Sequence, residues 1–202
     1  MKHISEIVCF IILGCFLHGC LKKHEADLNE IKIAKTVPPL MLQTTDTQLH
    51  WQQDTLYYQQ HFFSGYTYEL QHEKDTLALK SYFNGVQEGF QKEWYSNGKI
   101  KEERFYINGK KEAVQRGWWP NGKPRFYFTA YNDEYAGQFK EWMENGLLVK
   151  WFHYQNGKEE GSQKLWWSDG KIRANYVIKQ GRKFGLLGYR ICENPYDSVV
   201  KK

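Results

Sequence analysis

The feature that most constrains this chain is the dipeptide Asn-Gly, which recurs at alternating intervals of eleven and thirteen residues. The pairs and their close variants are Asn84-Gly85, Asn97-Gly98, Asn108-Gly109, Asn121-Gly122, Asn132-Asp133, Asn145-Gly146, Asn156-Gly157, Asp169-Gly170 and Gln180-Gly181. A two-residue hairpin loop needs a positive φ at both central residues, and Asn-Gly meets this need at little steric cost. The spacing therefore predicts a hairpin loop at every pair and a structural unit of 24 residues.

Sliding the sequence by 24 residues aligns further positions without an insertion. One column holds Gly65, Gly89, Ala113, Gly137, Gly161 and Gly185, and another holds Leu70, Trp94, Trp118, Trp142, Trp166 and Arg190. Six units fit between about residues 56 and 190, and the outer ones are degraded, as expected at the ends of an array. The runs between loops are rich in aromatic and β-branched residues and lack a helical period. We therefore predict an all-β fold, an elongated antiparallel meander of about six tandem β-hairpin repeats. Each column glycine is predicted to mark a bulge or a close approach of the backbone.

The N-terminus differs in composition from the repeats. Residues 7–17 form an apolar stretch of eleven residues, shorter than the roughly 20 residues that span a bilayer and of the length found in signal peptides. The following residues, Leu17 to Cys20, resemble the processing site of a bacterial lipoprotein. The resemblance predicts a signal peptide at residues 1–19 and lipid attachment at Cys20, with Cys15 as a competing site. An ordinary signal peptide and an uncleaved anchor are the alternatives, and each also places the chain outside the cytoplasm, in the bacterial cell envelope on its periplasmic or surface side.

The rest of the chain divides into three further segments. Residues 20–48 are predicted to be a lipidated N-terminus and flexible tether, in which Pro38-Pro39 favours an extended backbone. Residues 49–192 are predicted to be the repeat array, and residues 193–202 a C-terminal tail. Three of the four cysteines lie in the leader, which leaves Cys192 alone, so no disulfide framework is expected.

The motifs do not indicate an enzyme or a metal site. The repeat frame places His61 and His72 at opposite edges of the predicted sheet, where they cannot share a metal ion. The adjacent carboxylates Glu102-Glu103 and Glu159-Glu160 point to opposite faces of a strand. Motifs for a nucleophile, a phosphate loop or a dinucleotide fold are not found. We therefore expect no catalytic residue and no cofactor, and a net charge of +5 is too mild to predict nucleic-acid binding.

A basic column accompanies the tryptophan column. Lys92, Arg116, Lys140 and Lys164 each precede by two residues one of the tryptophans Trp94, Trp118, Trp142 and Trp166. Residues two apart on a strand share a face, so these side chains are predicted to form one aromatic and basic face. Such a face suits anionic headgroups, an acidic partner or a polyanionic glycan. The alternative is that the aliphatic stems only cover the rings and keep the charges in water.

The pattern Tyr-x-Asn-Gly-Lys-x-x-Gly, followed after four residues by Trp-Trp-x-Asp-Gly-Lys, stands at residues 154–171 and is similar to the MORN repeat variant. The resemblance covers about two thirds of the chain. It implies an elongated single sheet of hairpins without enzymatic activity, and roles in binding proteins, lipids or a second copy. Some bacterial members are antitoxins of secreted-toxin modules. This chain departs from the pattern at Ala113, Pro120 and Asn132-Asp133.

Two functional hypotheses follow. The first is a non-catalytic, membrane-anchored binding scaffold of the bacterial envelope, whose aromatic and basic face holds a protein or an anionic envelope partner. The alternative is an antitoxin or immunity protein that neutralises a cognate toxin, which a neighbouring toxin gene or rescue of toxin-expressing cells favours. The exposed edge strands of an open sheet also allow self-association.

Overall fold

The computed structural model describes residues 34–71 and 75–188, and every regular element in these ranges is a β-strand. The strands are β1 (Met41–Gln43), β2 (Leu49–Gln52), β3 (Thr55–Tyr58), β4 (His61–Phe62), β5 (Gly65–Leu70), β6 (Thr76–Phe83), β7 (Val86–Gln87), β8 (Gly89–Trp94), β9 (Ile100–Ile107), β10 (Lys110–Lys111), β11 (Ala113–Trp118), β12 (Pro124–Tyr131), β13 (Glu134–Trp142), β14 (Leu148–Gln155), β15 (Lys158–Glu159), β16 (Gly161–Trp166), β17 (Ile172–Lys179) and β18 (Arg182–Leu186). Within the same ranges no helical segment has the length and apolarity to cross a lipid bilayer. The predicted signal peptide, Cys20, Cys192 and the C-terminal tail lie outside the described residues.

Twelve strands follow one another in one sheet, in the order β1-β5-β6-β8-β9-β11-β12-β13-β14-β16-β17-β18. The short strands β7, β10 and β15 pair beside β6, β9 and β14. Neighbouring strands are antiparallel apart from β1, which lies parallel to β5 with Met41 opposite Tyr66. The predicted all-β meander of tandem hairpins is therefore confirmed, with one parallel strand added at its start.

The beginning of the array differs from the prediction. Residues 41–43, assigned to the flexible tether, form β1 of the main sheet, and Lys35 donates its backbone N–H to Glu88 Oε1 at 2.8 Å. Of the degraded first repeat, Gly65 and Leu70 lie on β5 of the main sheet, whereas β3 and β4 pair with β2 in a separate three-stranded sheet. The tether prediction is wrong from Lys35 onward, because this segment finds hydrogen-bond partners on the first repeats.

Two kinds of loop alternate along the chain. In the row that begins with Asn84, both central residues have a positive φ as predicted, for example 50° at Asn108 and 77° at Gly109. In the row that begins with Asn97, only the glycine does, with 76° at Gly98. Here the loop has five residues, 95–99, and is closed by a 2.8 Å hydrogen bond from the Tyr95 N–H to the Lys99 carbonyl. The prediction of a two-residue loop is therefore wrong for this row, because the longer turn needs the left-handed conformation only at its glycine.

A bulge accompanies each strand of the tryptophan column, which is one of the two possibilities predicted from the column glycines. It precedes β8, β11 and β16 and lies inside β13. Lys111 pairs with Tyr106 before the bulge and Arg116 pairs with Glu103 after it, so this arm of the hairpin contains two additional residues. In two of the units a buried glutamine forms hydrogen bonds with the backbone beside the bulge. Gln115 accepts a hydrogen bond from the Phe105 N–H at 3.2 Å and donates to the Phe105 carbonyl at 3.1 Å. Gln163, two units further along the chain, makes the same two contacts with the backbone of His153.

Loops of successive units are hydrogen-bonded to one another. Asn97 Nδ2 donates to the Pro120 carbonyl at 3.0 Å, and Lys99 Nζ donates to the Asn121 carbonyl at 3.1 Å. The next unit repeats both contacts. These contacts explain why the signature is Asn-Gly-Lys: the Asn and the Lys each hold the following loop.

The core lies on one face of the sheet. Phe128, Phe139 and Phe152 stand opposite one another on three consecutive strands and are 5 to 8% exposed. A second cluster on this face contains Ala174 and Tyr176. The predicted basic residues occupy the alternate positions of the same strands, so they lie on the opposite face.

Candidate binding surfaces

The four predicted cations lie in one row that crosses the sheet from β8 to β16. The strand register places each member directly opposite the next. In order, the row is Lys92, Glu103, Arg116, Tyr127, Lys140, Trp151 and Lys164, and we call it the cation row. Directly opposed side chains share a face. With about 4.8 Å between strands, successive cations are about 10 Å apart.

The first part of the cation row is charge-compensated. Lys92 Nζ forms an ion pair with Glu103 at 3.0 Å. On the other face of the same strands, Glu93 binds Lys80 at 3.0 Å and Lys101 at 3.1 Å. Burial alone would raise the pKa of Glu93, but its hydrogen bonds to these two lysines outweigh burial and lower it. This end of the sheet therefore offers little free charge to a ligand.

The remaining part of the row is uncompensated. Lys140 Nζ lies 4.9 Å and Lys164 Nζ 5.5 Å from the centroid of Trp151, which stands between them. Arg116 is exposed and stands opposite Tyr127. Among residues 34–71 and 75–188, no carboxylate forms an ion pair with Arg116, Lys140 or Lys164. Three cations and two rings thus alternate, and within the described part of the chain none of these cations forms an ion pair; Glu103, which stands opposite Arg116 on the other side, pairs with Lys92 instead.

The tryptophans predicted for this face do not pair with its cations. Trp94, Trp118, Trp142 and Trp166 are half-buried at the strand ends next to the five-residue loops, where the strand register shifts. No cation of the described ranges lies over one of their rings, and Lys92 instead lies 5.8 Å from the centroid of Phe90. The predicted binding face of cations and tryptophans therefore stays a prediction, and the cation–π contacts of the row are made with Phe90 and Trp151. A neighbouring strand is about 4.8 Å away, whereas two residues along a strand span about 6.7 Å, so Lys140 and Lys164 reach across strands.

Sequence reasoning missed the two aromatic members of the cation row, Tyr127 and Trp151. In the 24-residue frame both align with Glu103, which gives no sign that they lie between cations. Counting outward from a loop also fails, because the bulge adds two residues to one arm and shifts every later pair. Once the bulge position is known from the column glycine, the register follows from the sequence.

The opposite face carries a groove of about 730 Å³. Phe126, Phe128 and Phe139 contribute to its lining, and Tyr135 packs edge-on against Phe139 with ring centroids 5.2 Å apart. Its charged lining residues are Arg104, Lys111, Arg125, Asp133, Glu141 and Glu144. Three cations and three carboxylates balance, so this groove is apolar without a net charge, unlike the cation row.

The groove lies where the chain departs from its own repeat. Phe139 occupies the column of the buried glutamines Gln115 and Gln163, and Gly117 occupies a column that holds glutamate in other units. A Cβ on Gly117 would lie 2.2 Å from the Phe126 ring, so the absence of a side chain lets this ring cover the strand. The groove is thus a local modification of the array.

Both surfaces are suited to non-covalent contacts, namely ion pairs, ring stacking and apolar packing. In the part of the chain that the structure describes, no group of three or more His, Cys, Asp or Glu side chains is arranged to hold a metal ion. Comparison of the chain with protein-family models and with curated proteins returns no match.

Proposed function

We propose that this chain is a MORN-type repeat protein that serves as a non-catalytic binding scaffold of the bacterial envelope, anchored through lipid on Cys20, and that the cation row engages an anionic partner. The observation that carries the proposal is the uncompensated charge of Arg116, Lys140 and Lys164 in one line on one face. Arg116 is exposed and Lys140 and Lys164 are half-buried. Solvent-accessible cations without ion-pair partners attract anions over a distance of about a Debye length, roughly 8 Å at physiological salt.

The scaffold contributes rigidity to this interaction. Each cation of the row sits on a different strand, and the ladder of backbone hydrogen bonds fixes the strand spacing. A partner with several anionic groups therefore meets several cations whose backbone positions are already set. Preorganisation of this kind reduces the entropy lost on binding.

The membrane anchor is the second part of the proposal and rests on the leader sequence. Cys20 follows the apolar stretch at residues 7–17 and precedes a polar segment. Stable anchoring needs more than one acyl chain, because a single chain gives only marginal membrane binding. An anchored scaffold meets envelope partners at high local concentration.

Charge reversal tests the binding face. The full chain carrying Arg116→Glu and Lys140→Glu is compared with one carrying Lys158→Glu and Lys179→Glu, two exposed lysines outside the row. Material that co-sediments with the wild-type chain from bacterial envelope fragments is quantified at low and physiological salt. We expect the row variant to lose this binding and the control to keep most of it. Retention by the row variant, with an unchanged circular dichroism spectrum, contradicts the proposed face.

Substitution of the leader cysteines tests the anchor. In a bacterial host supplied with labelled palmitate, Cys20→Ser is expected to abolish both label and membrane association, whereas Cys15→Ser keeps them. Labelling that is lost with Cys15→Ser and kept with Cys20→Ser assigns the anchor to the other cysteine. Absence of label from the wild-type chain contradicts lipidation altogether.

A further inference from the structure

From β11 to β16 the cation row alternates strictly between cations and rings. Arg116, Tyr127, Lys140, Trp151 and Lys164 each lie on the next strand of the sheet. We call this segment the alternating strip. With about 4.8 Å between strands, a ligand that crosses the strip meets a ring and a cation in turn, and meets a cation about every 10 Å.

The strip arises because one column of the repeat changes from a glutamate to aromatic residues. The position between cations is Glu103 in one unit, Tyr127 in the next and Trp151 in the one after. Glu103 neutralises Lys92 at 3.0 Å, so its replacement by Tyr and Trp removes a counter-charge and places an aromatic ring there. Like charges held on one face without counter-charges repel one another, and an anionic ligand relieves this repulsion.

The period of the strip excludes several polyanions. A nucleic-acid strand places a charge about every 3.4 Å along the helix axis, three times denser than the cations, and would leave most phosphates unpaired. A lipid surface presents headgroups in two dimensions, whereas Arg116, Lys140 and Lys164 lie on a single line. The ligand that matches has its charges on one line, with an uncharged group between successive charges.

We propose that the alternating strip binds a linear acidic glycan that carries one carboxylate per disaccharide and lies across the strands. This inference rests on the proposed function and specifies its anionic partner. Each acidic sugar pairs its carboxylate with a cation, through charge-assisted hydrogen bonds from Arg116, Lys140 or Lys164. Each neutral sugar lies over Tyr127 or Trp151, whose flat faces accept the apolar side of a sugar ring. In the free chain Lys140 and Lys164 lie over the Trp151 ring, so binding moves their ammonium groups from the ring to the carboxylates of the flanking sugars. Five sugars cover the strip.

The experiment titrates the full chain, in a neutral detergent, with three polymers of defined charge spacing. Hyaluronan oligosaccharides carry one carboxylate per disaccharide, polygalacturonate carries one on every sugar, and dextran is neutral. Binding is followed by calorimetry and by tryptophan fluorescence. We expect saturable hyaluronan binding that is tighter than that of polygalacturonate per binding site, and no binding of dextran.

Matched variants assign the site. Lys140→Gln with Lys164→Gln is expected to weaken hyaluronan binding about tenfold or more, the effect of losing charge-assisted contacts worth at least 1.4 kcal/mol. Lys158→Gln with Lys179→Gln changes the net charge equally and is expected to leave the affinity within about twofold, because both lysines lie outside the strip. Trp151→Leu is expected to weaken binding, and Trp151→Phe, which keeps a ring, to restore most of it. Far-UV circular dichroism and the urea midpoint verify that each variant is folded.

Three outcomes overturn the inference. One is an affinity that simply rises with charge density, so that polygalacturonate binds tighter than hyaluronan. Another is that the control pair Lys158→Gln with Lys179→Gln weakens hyaluronan binding as much as Lys140→Gln with Lys164→Gln does. Either of these two results indicates general attraction to polyanions. The third is absence of hyaluronan binding while envelope material still binds in a manner that depends on Arg116 and Lys140; in that case the proposed function stands and only the glycan assignment fails.

Discussion

Single residues hold the backbone in conformations that the repeat requires. The first residue after each bulge has a positive φ, and in the unit that begins at residue 113 this residue is alanine, with a φ of 58°. The left-handed conformation costs an L-residue with a Cβ about 1 kcal/mol relative to glycine. Ala113 is exposed, so its methyl group gains little from packing.

We therefore expect Ala113→Gly to raise the free energy of unfolding by about 1 kcal/mol. The matched change is Gly137→Ala, at a φ of 69°, where a Cβ would meet no atom within 4 Å. It is expected to lower the free energy of unfolding by about the same amount. Urea denaturation of both variants measures the effects. Two changes of the same sign contradict the assignment of the cost to backbone conformation.

Tyrosine ionisation makes stability fall at high pH. Burial, followed by the charge of Glu159 and the neighbouring tyrosines, raises the pKa of Tyr154 from 10.0 to about 12. The unfolded chain therefore loses this proton at a lower pH than the folded chain. The contribution of Tyr154 is fully present below pH 10 and is lost as the pH rises towards 12.

Replacement of this hydroxyl tests the linkage. Tyr154→Phe is expected to reduce the decline of the urea midpoint between pH 10 and about 12, the interval set by the shifted pKa. Part of the decline remains, because burial also raises the pKa of Tyr82 and Tyr106. An identical decline in the variant and the wild type contradicts this role of Tyr154.

At the scale of the strands, side chains form hydrogen bonds with the backbone where the bulges interrupt the pairing of strands. Gln115 is fully buried and bonds both the N–H and the carbonyl of Phe105. In the next unit Phe139 occupies its column, and there β13 runs unbroken over nine residues, with a register shift between Phe128 and Thr129. The glutamine and the interrupted strand thus occur together, because only a polar side chain can satisfy the backbone groups at the break.

Gln115→Leu keeps the size of the side chain and removes its hydrogen bonds. We expect a loss of about 3 kcal/mol in the free energy of unfolding, because the Phe105 N–H and the Glu112 carbonyl lose their hydrogen bonds to Gln115, whereas the Phe105 carbonyl keeps the one from the Glu112 N–H. Gln138→Leu changes an exposed glutamine on the next hairpin and is expected to alter stability by less than about 0.5 kcal/mol. Equal effects of the two substitutions, measured by urea denaturation, contradict the role assigned to Gln115.

Some features of the strands could be predicted from the sequence and others could not. The hairpins, the two loop rows and the bulges at Gly89 and Gly161 follow from local conformational preferences, which depend on the residue types at those positions. The pairing of Lys140 with Trp151 does not, because it depends on how many residues the bulge adds. The separate sheet of β2, β3 and β4 also escapes the repeat frame, since Leu56 packs against Phe63 and Tyr82 through contacts that no period encodes.

At the scale of the whole molecule, the array consists of units that contact mainly their neighbours. Backbone and side-chain bonds join loops one unit apart, such as Gly109 N–H to the Gln87 carbonyl at 2.8 Å and Asn121 Nδ2 to the Glu144 carbonyl at 2.8 Å. In such arrays stability is approximately a sum of unit and interface terms. Removal of one complete unit therefore preserves the pattern of contacts on both sides of the junction.

Deletion of residues 137–160 joins Ala136 to Gly161 and keeps every column in frame. We expect a folded β-protein with an unchanged form of circular dichroism spectrum, a lower urea midpoint, and no Lys140 or Trp151 to bind a ligand. Deletion of residues 137–148, half a unit, joins segments from opposite loop rows and is expected to unfold or aggregate. If both deletions behave alike, the 24-residue unit is not the unit of folding.

By itself, the sequence determined the class of fold, the length of the unit, the order of the hairpins and the column of cations. These properties depend on the conformational preferences of residues close in the chain. The tertiary structure decided which face is covered, where the array begins, and that Tyr127 and Trp151 stand between the cations. These properties depend on strand register, which is set by bulges and by cross-strand contacts between residues far apart in sequence.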